Sequence, residues 1–234
     1  MSARAVAIVA AAGESRRMGF DKMRRDLGGV PALVRSVRRL SEVSAIEAIV
    51  LAVRPGLEAA VRDELVAPYR LEKVTRIVDG GETRVHTVWN ALQAVAASAD
   101  LVAIHDGARP FVTVAAVEAC LRAAQETGGA LLAMPLTPTI KQVNAAGCVT
   151  GTLDRSTLWG AATPQAFRLR EFMAAYTRFW ASGADANAIT DDAQLFAAQG
   201  GTVRVVPSNE ENIKLTTPLD WLVAEMLAQR NVAG

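Results

Sequence analysis

Between Ala11 and Lys22 the chain reads AAGESRRMGFDK, three small residues followed closely by Arg16, Arg17 and Lys22. A turn built from small residues lets backbone N–H groups approach a ligand, and guanidinium and ammonium groups are the side chains that grip phosphate oxygens. The apolar run Ala5-Val6-Ala7-Ile8-Val9-Ala10 precedes this turn, so it should leave the carboxyl end of a buried strand, where open α/β sheets bind ligands. Two familiar phosphate loops do not fit. The dinucleotide fingerprint needs three spaced glycines where only Gly13 and Gly19 occur, and Arg54 follows the second strand where an acid for a ribose is wanted. The Gly-Lys-Ser/Thr of the triphosphatase loop is missing as well.

A second chemical element is Asp106 in IHDGARP, at the expected end of the fourth strand. A carboxylate there could ligate a metal ion or accept hydrogen bonds from substrate hydroxyls, and Arg109 could neutralise it. Neither of the two histidines, His86 and His105, need be catalytic, and Cys120 and Cys148 have no paired spacing and no neighbouring His, which argues against a zinc site or disulfide framework. The formal charge of +1 excludes a broad nucleic-acid footprint. No apolar run has transmembrane length and the N-terminus lacks a signal-peptide core, so a cytoplasmic location and no membrane association are expected.

The elements that must position these groups alternate. Apolar runs at 5–10, 46–53, 101–105 and 130–135, with a weaker one at 74–78, suit buried parallel strands. Helical spacing fills 31–40, 57–66, 83–97 and 114–126, and Gly128-Gly129 ends the last. The expected fold is α/β: a doubly wound, mostly parallel, Rossmann-like sheet in a single domain over 1–234. After Pro135, two alternating segments, 139–143 and 148–153, flank Asn144-Ala145-Ala146-Gly147 and predict a protruding β-hairpin arm at about 137–156. Such a hairpin is marginal alone, so either its own domain or a partner subunit should cover it. Helices at 168–181, 191–199 and from Pro218, and a strand at 202–206, complete the chain. Thr217-Pro218-Leu219-Asp220 predicts a capped helix start.

AAGESRRM with its following lysine, GGETRVHTVWNAL (80–92), IHDGARPFV (104–112), LDRSTLWGAATPQAF (153–167), ITDDA (189–193) and NIKLTTPLD (212–220) together resemble, in order, the motifs of the 2-C-methyl-D-erythritol 4-phosphate cytidylyltransferase family. The resemblance spans nearly the whole chain. It implies a nucleotidyltransferase fold and the joining of CTP to a methylerythritol phosphate, with pyrophosphate expelled and Mg²⁺ held mainly by the CTP phosphates. It implies that Arg17 and Lys22 stabilise the reacting phosphoryl groups while Ala11, Ala12 and Gly13 lie against the nucleotide. Gly80, Gly81 and Thr87 would read cytosine, and Gly107 would lie at the ribose. Asp106 would lie near both ribose and acceptor, with metal ligation its lesser role. Thr139, Arg155, Thr163, Thr190 and Lys214 would hold the polyol phosphate. The resemblance also implies a homodimer in which the arm carries Thr139 and Arg155 to the neighbouring site.

The sequence departs from the family pattern at Ser15, at Asp21, which could pair with Lys22, and at Pro138 before the arm's threonine. Three rival readings remain: a ribitol 5-phosphate cytidylyltransferase, an enzyme acting on a sugar acid, which the ordered motifs disfavour, and a non-catalytic nucleotide-binding module of the same fold.

Overall fold

The structure, a computed structural model, describes residues 3–13 and 18–230. The first apolar run forms β1 (Ala5–Ala11). Ala5, Ala7 and Val9 enter one hydrophobic core, and Val6 and Ile8 enter another. The strand is therefore buried on both faces, which explains why it reads as continuous hydrophobicity and not as alternation. The chain continues through α1 (Ala32–Ser41), β2 (Ile46–Val53), α2 (Glu58–Val61), β3 (Val74–Asp79), α3 (Arg84–Leu92), β4 (Leu101–Asp106), α4 (Val114–Thr127) and β5 (Gly129–Pro135). Then come β6 (Lys141–Val143), β7 (Val149–Thr152), β8 (Trp159–Arg168), α5 (Leu169–Ala181), α6 (Asp192–Ala198), β9 (Val203–Pro207) and α7 (Pro218–Arg230).

The main sheet has the order β3-β2-β1-β4-β8-β5-β9, with β8 antiparallel to both its neighbours and the remaining pairs parallel. This is the expected doubly wound, mostly parallel α/β sheet. Strand order reverses between β1 and β4, and the register pairs Ala10 with Asp106 and Ala11 with Val53. The turns after β1, β3 and β4 consequently meet at one edge of the sheet, at its topological switch point.

Three expectations need correction. No strand reads out of the sequence over Trp159–Arg168, yet β8 lies between β4 and β5 with residues 162–167 buried. Pro164 and Gly160 interrupt its pattern, and a proline argues against a central strand because it cannot donate to the ladder. Here the β5 register slips between Leu131 and Ala133, while the β4 pairing stops at Gln165, so the missing donor falls where pairing is already broken. The helix expected over 83–97 ends at Leu92, after which the chain tightens into three-residue turns. The helix expected over 57–66 is α-helical only to Val61 and continues as a wider π-type turn, with Ala67 N–H donating to the Arg62 carbonyl.

The arm forms where expected. Asn144 Oδ1 accepts from the N–H groups of Ala146 and Cys148, both at 3.0 Å, and Gly147 takes a positive φ in the turn. Val143 and Val149 on the arm are 58% and 62% exposed in the single chain. The start of α7 is capped as the sequence suggests: the Asp220 carboxylate accepts from the N–H groups of Thr216 and Thr217, and Asp220 N–H returns a bond to the Thr217 hydroxyl. Among the described residues no helix is long and apolar enough to cross a membrane.

Candidate active site

At the end of β4, Asp106 is buried, 6% exposed, and three cations from three segments surround it. Lys214 Nζ lies 2.8 Å away, Arg109 Nε 3.5 Å and Arg84 Nε 3.6 Å. Burial alone would push this carboxyl up, but Lys214, Arg84 and Arg109 outweigh it and hold the group well below the ordinary carboxylate range. Asp106 is a fixed anion at neutral pH.

Residues 212–215 form a strap across this anion. Arg109 Nη1 donates to the Asn212 carbonyl (2.7 Å), Asn212 Nδ2 donates to the Thr163 carbonyl (3.0 Å), and Leu215 N–H donates to the Ala108 carbonyl (2.9 Å). Lys22, from the turn after β1, then donates through Nζ to the Leu215 carbonyl at 2.7 Å. Residues 22 and 214 are thus brought to adjacent points of one strap. Asp21, which the sequence allowed to compete for Lys22, is held by Arg54 at 2.5 Å.

The turn after β3 packs directly against the turn after β1. Gly80 N–H donates to the Val53 carbonyl at 2.6 Å, and a Cβ at Gly80 would lie 2.3 Å from the Ala12 Cβ. Only glycine permits that approach. The Thr87 hydroxyl, 4% exposed, accepts from Gly81 N–H at 3.0 Å and donates to the Thr83 carbonyl at 3.0 Å. Its proton is spent inside the turn, so Thr87 shapes the loop, and the N–H groups of Gly80 and Gly81 are themselves committed to Val53 and Thr87. Gly107 is packed as closely: its carbonyl accepts from the Ser36 hydroxyl at 2.8 Å, and a Cβ there would meet Leu33 at 2.9 Å.

Thr163 is likewise buried and committed. Its hydroxyl accepts from Asp106 N–H at 3.0 Å and lies 3.1 Å from His105 Nδ1. His105 Nε2 sits 3.1 Å from the Arg109 carbonyl, which can only accept, so Nε2 carries the ring proton and Nδ1 takes the Thr163 proton. Burial pushes the His105 pKa down to about 4, leaving the ring neutral. Neither histidine is placed as a general base, since His86 Nδ1 is bonded to the Thr83 hydroxyl.

The remaining expected residues lie further out. Thr190 is exposed and bonds the Gln194 side chain through both its N–H and its hydroxyl, while Asp191 caps α6. Thr139 and Arg155 sit on the exposed arm, with Arg155 Nη1 donating to the Thr137 carbonyl at 2.6 Å. Ala11, Ala12 and Gly13 lie at the end of β1, and among the described residues none beyond its chain neighbours comes within 4 Å of a Cβ placed on Gly13. Arg16 and Arg17 fall outside the described residues.

A divalent cation directly on Asp106 would face Lys214, Arg84 and Arg109, so that carboxylate does not fit the role of metal ligand. No group of three acidic, histidine or cysteine side chains suited to a metal occurs among the described residues. Arg84, Asp192 and Asn212 join the site without having been singled out from sequence. Arg84 carried a signal: a cation in the first turn of a helix opposes the helix dipole and needs an anion to hold it.

Close-packed glycine turns, Lys22, Lys214 and a compensated carboxylate meet at the switch point of this α/β sheet, an arrangement suited to an enzyme of anionic, phosphorylated substrates. The family model of 2-C-methyl-D-erythritol 4-phosphate cytidylyltransferase matches residues 5–230, and the chain belongs to that family. It is 42% identical to the 2-C-methyl-D-erythritol 4-phosphate cytidylyltransferase of Geobacillus kaustophilus, over 97% of this chain and 98% of that protein. It is 39% identical to the protein of the same name from Syntrophus aciditrophicus, over 98% of each chain. Among solved structures, the 4-diphosphocytidyl-2C-methyl-D-erythritol synthase of Anaerococcus prevotii superposes with a TM-score of 0.85 at 28% identity, covering 98% of this chain and 100% of that one.

His105 generates a pH prediction. Its folded pKa, about 4, lies below its unfolded value, so the unfolded chain takes up the proton first and stability falls as pH drops from 6.5 toward 4. At pH 5 this term should cost roughly 2 kcal/mol relative to pH 8. Urea unfolding of the wild type and of His105→Asn should show the stability difference between pH 8 and pH 5 reduced by about that amount in the variant.

Proposed function

We propose that this protein transfers the cytidylyl group of CTP to the phosphate of 2-C-methyl-D-erythritol 4-phosphate, giving 4-diphosphocytidyl-2-C-methyl-D-erythritol and pyrophosphate, in the non-mevalonate route to isoprenoid precursors. The observation that carries this reading is the convergence of Lys22 and Lys214, from distant segments, on one strap beside Asp106 at the switch point of the sheet. The family matches favour methylerythritol phosphate and lend no support to the ribitol 5-phosphate alternative.

In this reaction a phosphate oxygen of the acceptor attacks the α-phosphorus of CTP. A new P–O–P linkage forms, the bond from the α-phosphorus to its bridging oxygen breaks, and that oxygen leaves with the electron pair as pyrophosphate. A phosphate monoester has its second pKa near 6, so the nucleophile is already ionised at neutral pH and no general base is needed. That agrees with a site whose two histidines are both occupied. The protein's task is to hold two anions in line and to stabilise charge as it shifts toward the leaving group. Arg17 and Lys22 serve the phosphoryl groups of MgCTP, and the cation enters with that substrate. Lys214 and Arg155 hold the acceptor phosphate, Asp106 accepts from substrate hydroxyls, and Thr139, Thr163 and Thr190 border the acceptor. The turn at Gly80, Gly81 and Thr87 reads cytosine.

The arm supplies the quaternary reading. Its exposed Val143, Val149, Leu153 and Trp159 suit burial against a second copy, and a lone two-stranded hairpin is marginal without it. The protein acts as a cytoplasmic homodimer in which each arm brings Thr139 and Arg155 to its neighbour's site. Sedimentation should show a dimer across the assay concentration range, and a fully active monomer would refute the shared site.

Pyrophosphate release measured with MgCTP and each polyol phosphate tests the function. Turnover is expected only when CTP and 2-C-methyl-D-erythritol 4-phosphate are both present, and equal or faster turnover with ribitol 5-phosphate would overturn the assignment. In the same assay Lys22→Ala should lose about 10²–10³-fold in kcat, the usual loss for one preorganised donor.

A further inference from the structure

Arg84 opens α3 immediately after the base-reading turn, and its guanidinium lies between two buried carboxylates. Nε is 3.6 Å from Asp106 Oδ1, and Nη1 is 2.6 Å from Asp192 Oδ2. Burial would depress the guanidinium pKa, but Asp192 and Asp106 outweigh it and keep the charge fixed. Asp192, 1% exposed, is the first residue of α6, and its Oδ1 accepts from the Tyr176 hydroxyl at 3.0 Å. Gln165 of β8 clamps the same helix start: its Nε2 donates to Asp191 Oδ2 at 3.1 Å, and its Oε1 accepts from Ala193 N–H at 2.8 Å. Arg84 therefore ties α3 to β4 and to a rigidly held α6.

The two elements it joins serve different ligands. Gly80 and Gly81 lie just before Arg84, and Thr190 lies just before the Asp191–Asp192 pair. A pair serving only the fold would be expected to spend its hydrogen-bonding capacity. Arg84 Nη2 is instead buried without a hydrogen-bond partner among the described residues, and Asp192 Oδ2, though close to Nη1, accepts no aligned hydrogen bond. Such a departure from local rules is what functional sites show.

We propose that Arg84 is a positioning residue that links the two subsites: by bridging Asp106 and Asp192 it sets the cytosine-reading turn against the loop bearing Thr190, so that the acceptor phosphate meets the α-phosphorus in line. The inference rests on the cytidylyltransferase reading above and deepens it.

The test uses full-length Arg84→Gln, Arg84→Lys and the double variant Arg84→Gln/Asp192→Asn beside the wild type. Pyrophosphate release gives kcat and the KM for 2-C-methyl-D-erythritol 4-phosphate, calorimetric titration with MgCTP alone gives its Kd, and urea unfolding gives stability. Arg84→Gln should raise the acceptor KM and lower kcat by about tenfold or more each, the scale on which small misplacements act, while the Kd for MgCTP changes by less than about threefold. Arg84→Lys keeps the charge but cannot span both carboxylates, so it should not restore the acceptor KM. The double variant removes the ion pair as a unit, so its unfolding midpoint should return toward the wild type while the acceptor KM stays raised. Wild-type acceptor kinetics in folded Arg84→Gln, or kinetics that recover together with stability in the double variant, would overturn the linking role. Absence of wild-type turnover with CTP and this acceptor would instead sink the function reading, and this inference with it.

Discussion

The buried charge of Asp106 organises this site. An ionised carboxylate removed from water is costly unless cations and hydrogen bonds compensate it, and Asp106 meets that demand with Lys214, Arg84 and Arg109. Each cation comes from a different element: the strap at 212–215, the first turn of α3 and the loop after β4. The carboxylate therefore does more than present an acceptor to a ligand. It draws into one place three segments that the sheet topology only brings near. The strap then passes the arrangement on to the turn after β1, because Lys22 is bonded one residue beyond Lys214.

Beneath the charged layer lies a neutral one in which donors are already assigned. The chain from the Arg109 carbonyl through His105 and Thr163 to the Asp106 amide fixes both a tautomer and a backbone direction. Thr87 does the same for the turn at Gly80 and Gly81. Hydroxyls that seem free for substrate in a sequence are here used to hold the groups that face it. This kind of preorganisation limits the reorganisation needed when a polyanion arrives.

The parallel strands were legible in the sequence because burial on both faces leaves unbroken apolar runs, as in β1, β2, β4 and β5. Helix starts were legible where a side chain caps them, as at Thr83 and Thr217. β8 was hidden by Pro164, whose missing donor is tolerated only because both neighbouring ladders lapse beside it. The ordered motifs singled out Lys22, Asp106 and Lys214, and left Arg84 and Asp192 unmarked apart from the place of Arg84 in the first turn of a helix. Their roles depend on a contact between α3 and α6 that no local pattern encodes. Sequence also could not assign the protons of Thr87 and Thr163, which depend on partners fixed by tertiary packing.

The central claim is that Asp106 remains a compensated anion around which the site is built. Carboxyl-carbon NMR of the uniformly labelled protein, with the Asp106 signal identified by its loss in Asp106→Asn, measures this directly. That signal should stay at the ionised position at every pH at which the protein is folded. A titration near the ordinary aspartate range, around pH 4 or above, would contradict it.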